Sequence, residues 1–159
     1  MANTQKTAIV TGASQGIGAG LVEAFLKRGY NVVGNSRNIT KSNSFPASDH
    51  LALVDGDIGD PKTAAKIVDT AVSRFGRVDV LINNAGIFIP KAFTEYTPGN
   101  FNALVSTTLA GFLHVSQLSV KQMLRRKSGS IVNISTTFGV GGSNLISFCT
   151  GRWWEWSRQ

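Results

Sequence analysis

The sequence has little cysteine and no long apolar run. Its 159 residues contain one cysteine, Cys149, which excludes a scaffold held by internal disulfides and predicts a reducing, cytoplasmic location. No apolar run approaches the roughly 18 residues of a membrane-spanning helix, so we predict no membrane segment. The first ten residues, MANTQKTAIV, lack the charged-then-apolar pattern of a secretory signal.

Acidic residues are also few. Nine Asp and Glu residues stand against sixteen Lys and Arg, which gives a formal net charge of +7. The tight basic cluster at residues 125–127 fits a solvated helix end, where the helix dipole favours cations. It has neither interleaved aromatic side chains nor a known motif, so we predict no nucleic-acid partner. The remaining positive charge suits a small polyanionic ligand.

Short apolar, β-branched runs alternate with stretches of helical periodicity along the chain. The runs predict buried parallel strands, and glycine or proline marks the ends of the helices between them. Strands and helices alternating at this spacing indicate βαβ units and an α/β fold with a parallel sheet. The predicted strands are residues 6–11, 30–34, 51–55, 78–82 and 130–134, the stretch 35–50 is predicted to be a loop, and the predicted helices are residues 17–28, about 61–75 and about 98–125.

The stretch TGASQGIG, residues 11–18, lies between the first predicted strand and the first helix. Gly12 allows a sharp turn, Gly16 allows the backbone to approach a pyrophosphate, and Gly18 allows the helix to pack closely on the sheet. The free N–H groups and the dipole at the helix start then favour phosphate binding. An ordinary glycine-rich turn is the alternative, and the flanking strand and helix argue against it.

The end of the second strand indicates which dinucleotide is bound. An NAD site would carry an acidic residue there for the ribose 2′-hydroxyl, yet none occurs between Glu23 and Asp49. Ser36 and Arg37 instead offer a hydroxyl and a guanidinium, which suit a 2′-phosphate. We therefore predict NADP(H) in preference to NAD(H). The alternative is that Arg37 is only a solvated loop charge.

Four motifs together resemble the short-chain dehydrogenase/reductase family. They are TGASQGIG at 11–18, Gly-Asp-Ile at 56–58, NNAG at 83–86 and GSIVNIS at 129–135. The resemblance implies a Rossmann-type, doubly wound parallel sheet with the dinucleotide across the strand ends. It places Gly12, Ser14, Gln15, Gly16, Ile17 and Gly18 at the pyrophosphate, Ser36 and Arg37 at the adenosine ribose, Asp57 and Ile58 at adenine, and Asn84, Ala85 and Gly86 at the ribose and nicotinamide.

The resemblance also implies a catalytic set of tyrosine, a lysine four residues later, serine and asparagine. The serine position corresponds to Ser135 or Thr136, for which a strand end with no special role is the alternative. Thr108 stands at the asparagine position. Phe148 and Arg152 stand at the tyrosine and lysine positions, so the general acid is missing.

The last residues, 146–159, do not resemble the family. They contain all three tryptophans, Trp153, Trp154 and Trp156. We expect a dinucleotide-binding domain over residues 1–145, truncated after about the fifth strand, and an atypical tail that is natural, a frameshift or a cloning artefact.

Three functions remain open at this point. The first is NADP(H)-dependent oxidation or reduction of a small alcohol or carbonyl compound, impaired in this chain. The second is a non-catalytic NADP-binding module, and the third is a truncated fragment without stable function. No metal site is predicted. Homo-oligomers are also compatible with the resemblance, because the family usually associates through the long helix and its neighbour.

Overall fold

The computed structural model describes residues 5–42 and 44–135. In this part of the chain, five strands form one parallel sheet, and they are β1 (Thr7–Thr11), β2 (Asn31–Ser36), β3 (Leu51–Asp55), β4 (Val80–Asn83) and β5 (Ser130–Asn133). Their order in the sheet is β3-β2-β1-β4-β5. The chain builds outward from β1 to β3 and then crosses to the other side, so the predicted doubly wound sheet is confirmed. The helices are α1 (Gly16–Lys27), α2 (Pro61–Phe75), α3 (Pro98–Leu104) and α4 (Gly111–Arg125).

Apolar side chains cover both faces of the sheet. All five residues of β1, at the centre, are buried. On one face Ile9, Val33 and Leu81 belong to a cluster with residues of α2 and α4. On the other face Val10 and Val32 cluster with Val22 of α1. Burial on both faces explains why these strands are continuous apolar runs in the sequence.

Helix α2 begins and ends where local signals predict. The Asp60 carboxylate accepts a hydrogen bond from the Lys62 N–H at 2.9 Å, and Pro61 occupies the first turn. Gly76 ends the helix in the left-handed conformation with φ 78°.

Strand β2 extends two residues beyond its predicted end at residue 34. Asn35 and Ser36 are polar, and the sequence assigned them to a loop. Asn35 is only 1% exposed, and its side-chain amide donates to the carbonyls of Val54 (3.0 Å) and Gly56 (3.2 Å). These bonds to the end of β3 compensate the buried amide and keep the strand paired to Ser36.

The predicted helix at 98–125 is interrupted by a π-helical segment, Val105–Ala110, between α3 and α4. Thr97 caps its start in a reciprocal arrangement with Asn100. By length and composition alone, the helical stretch Pro98–Arg125 is long and apolar enough to cross a membrane, although it contains no uninterrupted apolar run of that length. A core helix of a soluble protein passes the same test, so this is weak evidence for a membrane span.

Asp79 joins the starts of β1 and β4 to the end of α4. Its carboxylate accepts the Thr7 N–H at 2.9 Å and pairs with Arg77 (2.6 Å) and Arg126 (2.8 Å). The sequence predicted that Arg126 is a solvated charge at a helix end. The structure instead pairs it with Asp79. Burial acts to raise the pKa of Asp79, but the hydrogen bonds from Arg77, Thr7 and Arg126 outweigh it and lower the pKa to about 2.

Acid is expected to destabilise the fold through Asp79. Because the folded pKa lies below the ordinary value, its contribution is complete above about pH 4 and is lost as the pH falls toward 2. Complete loss would lower the free energy of unfolding by at most about 2 kcal/mol, and solvent screening of the ion pairs makes the loss smaller. Urea unfolding of the wild type and of Asp79→Asn between pH 7 and pH 2.5 measures it. Asp79→Asn should lack this acid-dependent part, whereas Asp69→Asn on the exposed face of α2 should keep it. An unchanged pH profile for Asp79→Asn would contradict the assignment.

Candidate dinucleotide site

The glycine-rich turn and the turn after β4 are in direct backbone contact. A Cβ at Gly12 would lie 2.8 Å from the Cα of Ala85, and a Cβ at Gly18 would lie 2.2 Å from the carbonyl oxygen of Gly12. Gly12 and Gly16 have φ of 65° and 55°, which favour glycine. The two turns meet between β1 and β4, where the strand order reverses and α/β proteins bind their ligands.

The start of α1 lacks a side-chain cap. Gln15 occupies the N-cap position without a capping hydrogen bond, whereas Asp60 and Thr97 cap the starts of α2 and α3. The first N–H groups of a helix have no partner within the helix and carry the positive end of its dipole. Their position beside the glycine-rich turn gives the cleft an anion-binding end.

A hydrogen-bond cluster around Thr11 fixes the two turns relative to each other. The Thr11 hydroxyl accepts the N–H groups of Asn84 and Ala85, each at 3.0 Å, and donates to the carbonyl of Ile82 at 3.3 Å. The side-chain amide of Asn84 donates back to the carbonyls of Thr11 (3.0 Å) and Gly12 (3.1 Å). Both amide hydrogens of Asn84 are thus used within the protein.

A cavity of about 750 Å³ opens over these turns. It brings together twelve of the thirteen residues predicted for the cofactor: Gly12, Ser14, Gln15, Gly16, Ile17, Ser36, Arg37, Asp57, Ile58, Asn84, Ala85 and Gly86. The thirteenth, Gly18, lies behind the wall, because it packs against Gly12 and Asn84 instead of facing the cavity.

The remaining wall residues were missed by the sequence analysis. They are Asn35, Asn38, Ser42, Gly56, Ile87, Ala103, Ser106 and Thr107. Ser106 and Thr107 come from the π-helical segment, a type of irregularity that is frequent at functional sites. Gly59 allows this approach, because a Cβ there would lie 2.1 Å from the Ser106 hydroxyl. No pattern in the sequence predicts a π-helical turn.

The predicted catalytic residues are only partly described. The Thr108 hydroxyl donates to the carbonyl of Leu104 at 2.6 Å and does not line the cavity, so its proton is used within the helix. Ser135 is exposed, two residues beyond β5, and does not line the cavity either. Thr136, Phe148 and Arg152 lie outside the described residues.

Comparison with known proteins decides the family. The family model described as short chain dehydrogenase matches residues 6–151. The chain belongs to the short-chain dehydrogenase family. This result confirms the family predicted from the four motifs.

Curated relatives in this family are larger than this chain. The 3-oxoacyl-acyl-carrier-protein reductase FabG of Staphylococcus aureus is 31% identical over 87% of this chain and 58% of its own length. The NADPH-dependent pterin aldehyde reductase of Arabidopsis thaliana is 30% identical over 93% of this chain and 64% of its own length. The chain therefore spans about three fifths of the length of such relatives.

Solved structures of other proteins share the fold. ElxO with NADP bound superposes with a TM-score of 0.79 at 32% identity, over 88% of this chain and 59% of ElxO. A short-chain dehydrogenase from Streptomyces avermitilis gives a TM-score of 0.77 at 33% identity, over 84% of this chain and 50% of its own.

Proposed function

We propose that this short-chain dehydrogenase binds NADP(H) in preference to NAD(H). The observation that carries the proposal is one cavity in which the uncapped start of α1 and the glycine-rich turn face Ser36 and Arg37 at the end of β2. The likeness to NADP-bound ElxO and to an NADPH-dependent reductase supports it.

The residues of the cavity suit each part of the dinucleotide. The N–H groups of the glycine-rich turn would hold the pyrophosphate, and Arg37 with Ser36 would hold the 2′-phosphate. Asp57 and Ile58 would flank adenine, and Asn84, Ala85 and Gly86 would line the ribose and nicotinamide. Bound NADPH would supply the hydride, while the protein orients it and protects it from water.

The reaction we propose is hydride transfer between NADP(H) and a small carbonyl or alcohol compound, impaired in this chain. Phe148 has no proton to give to a carbonyl oxygen, and Arg152 offers a planar fork in place of a lysine ammonium. At the asparagine position of the family's catalytic set, the Thr108 hydroxyl is already used as a donor to the carbonyl of Leu104. These substitutions favour a non-catalytic NADP-binding module as the second candidate. Cytoplasmic location and homo-oligomers stay predictions.

Calorimetric titration with NADPH and NADH tests cofactor preference. Arg37→Ala is expected to weaken NADPH binding by about ten- to a hundredfold, the equivalent of a charge-assisted hydrogen bond, and to leave NADH within about twofold. Arg125→Ala, which removes the same charge from the end of α4, is the control and should change neither. Equal affinity of the wild type for both dinucleotides would overturn the proposed preference.

The same protein, saturated with NADPH, is then mixed with a panel of small aldehydes and ketones. We expect little or no NADPH consumption above the rate without protein, because the general acid is missing. A small excess supports the impaired reductase, and none supports the non-catalytic module. Robust reduction of any of them would show that the chain is an active reductase and would rule out the non-catalytic module.

A further inference from the structure

Asp55, at the end of β3, binds the loop that follows β2 and does not itself line the cavity. One carboxylate oxygen accepts the backbone N–H of Thr40 at 3.0 Å, and the other accepts the Thr40 hydroxyl. The hydroxyl and N–H of Thr40 lower the pKa of Asp55 below its ordinary value and so favour the charged carboxylate. Each of the two oxygens therefore accepts a hydrogen bond from the same residue of a neighbouring loop.

The loop held in this way carries three residues of the cavity wall. Arg37 and Asn38 precede a 3-10 turn, Ile39–Lys41, and Ser42 follows it. On the inner side of the turn, Ile39 is fully buried in the core shared with α1. On the outer side, the bonds between Thr40 and Asp55 hold the turn to β3. The turn is thus fixed on two sides, immediately beside Arg37.

The negative charge of Asp55 limits how this residue can favour the binding of a phosphate. A carboxylate near a phosphate site repels the phosphate, so its Coulomb interaction alone would weaken NADPH binding. Asp55 also does not line the cavity, so it is not placed to contact a ligand directly. Any benefit it brings to phosphate binding must come from the position of the loop.

We propose that Asp55 is a positioning residue that sets the specificity for the 2′-phosphate, by holding Thr40 and thereby fixing Arg37 and Asn38 at the cavity. This inference rests on the proposed preference for NADP(H). It assigns the discrimination between the two dinucleotides to β3 as well as to the end of β2.

The test uses Asp55→Asn, which keeps the shape of the side chain but removes its charge, so the two charge-assisted bonds to Thr40 become weaker neutral ones. Calorimetry with NADPH, NADH and 2′,5′-ADP is expected to show NADPH and 2′,5′-ADP weakened about five- to tenfold, the equivalent of about one hydrogen bond. NADH binding should stay within about twofold, and this also shows that the variant is folded. Asp69→Asn, which removes the same charge from α2, should leave all three ligands unchanged.

The direction of the effect separates the explanations. If charge alone mattered, Asp55→Asn would bind NADPH more tightly, and this result or no change would overturn the inference. A parallel loss of NADPH and NADH binding would indicate general destabilisation and would also overturn it. If the wild type itself shows no preference for NADPH, the proposed cofactor preference and this inference both fail.

Thr40→Val provides a second variant that keeps the backbone N–H and removes only the hydroxyl. It should weaken NADPH binding about threefold, and adding it to Asp55→Asn should cost less than the sum of the two single effects. Fully additive effects would show that the two residues act independently, contrary to the inference.

Discussion

Gly18→Ala is expected to destabilise the fold by about 3 kcal/mol and to weaken NADPH binding by more than about tenfold. The new Cβ would lie 2.2 Å from the Gly12 carbonyl oxygen and 2.7 Å from the Asn84 amide nitrogen. Neither neighbour is the free end of a flexible side chain, because both belong to the contact between the two turns. The start of α1 would have to move away from the sheet. Urea unfolding and calorimetric titration with NADPH measure the two effects.

Gly20 gives a matched control in the same helix. A Cβ at Gly20 meets no atom within 4 Å, and the residue is exposed. Gly20→Ala should therefore stabilise the protein by about 0.5–1 kcal/mol through helix propensity and leave NADPH affinity unchanged. Similar behaviour of the two variants would contradict the close packing that we describe at residue 18.

Thr11→Val is expected to destabilise the fold by about 3 kcal/mol, although valine has nearly the same shape. The substitution leaves the N–H groups of Asn84 and Ala85 without their acceptor and removes the donor to the Ile82 carbonyl. Unpaired polar groups in a site that is 2% exposed cost more than the hydrogen bonds themselves contribute. Chemical unfolding measures the loss, and a weaker affinity for NADPH should accompany it.

Thr7, in the same strand, is the control for Thr11. It is fully buried, and among the described residues its hydroxyl has no hydrogen-bond partner. Thr7→Val should therefore be neutral or stabilising, because it removes an uncompensated polar group and keeps the N–H bond to Asp79. Equal destabilisation by Thr7→Val and Thr11→Val would mean that β1 does not tolerate valine, whatever the hydrogen bonds.

Local signals explain which parts of the fold were predictable. Asp60, Pro61 and Gly76 act on their own helix, so the bounds of α2 could be read from the sequence. The end of β2 could not, because Asn35 stays in the sheet through bonds to β3 residues that are remote in the sequence. The sequence alone does not show whether a polar residue at a strand end has hydrogen-bond partners in the neighbouring strand.

The residues of the candidate site also fall into a group that the sequence predicts and a group that it does not. The motif positions identified most of the cavity wall, since glycine spacing between a strand and a helix fixes the backbone there. Ser106, Thr107 and the loop around Thr40 were missed, because their places depend on a π-helical turn and on a carboxylate fifteen residues away. The position of Thr108 was predicted from the family, but its hydrogen bond to Leu104 follows only from the helix geometry.

The bonds between Thr11 and Asn84 span 73 residues of chain, and this separation has a kinetic consequence. The first βαβ unit contains every glycine of the turn, yet the opposite wall of the cleft arrives only when β4 pairs with β1. Closing so long a loop costs entropy before any contact repays it, so this step belongs to the slow, topology-limited part of folding. During synthesis, a ribosome-bound chain would acquire the proposed affinity for the dinucleotide only after residue 86 has left the exit tunnel. Ligand affinity is consequently a reporter of the assembled sheet and not of its first unit.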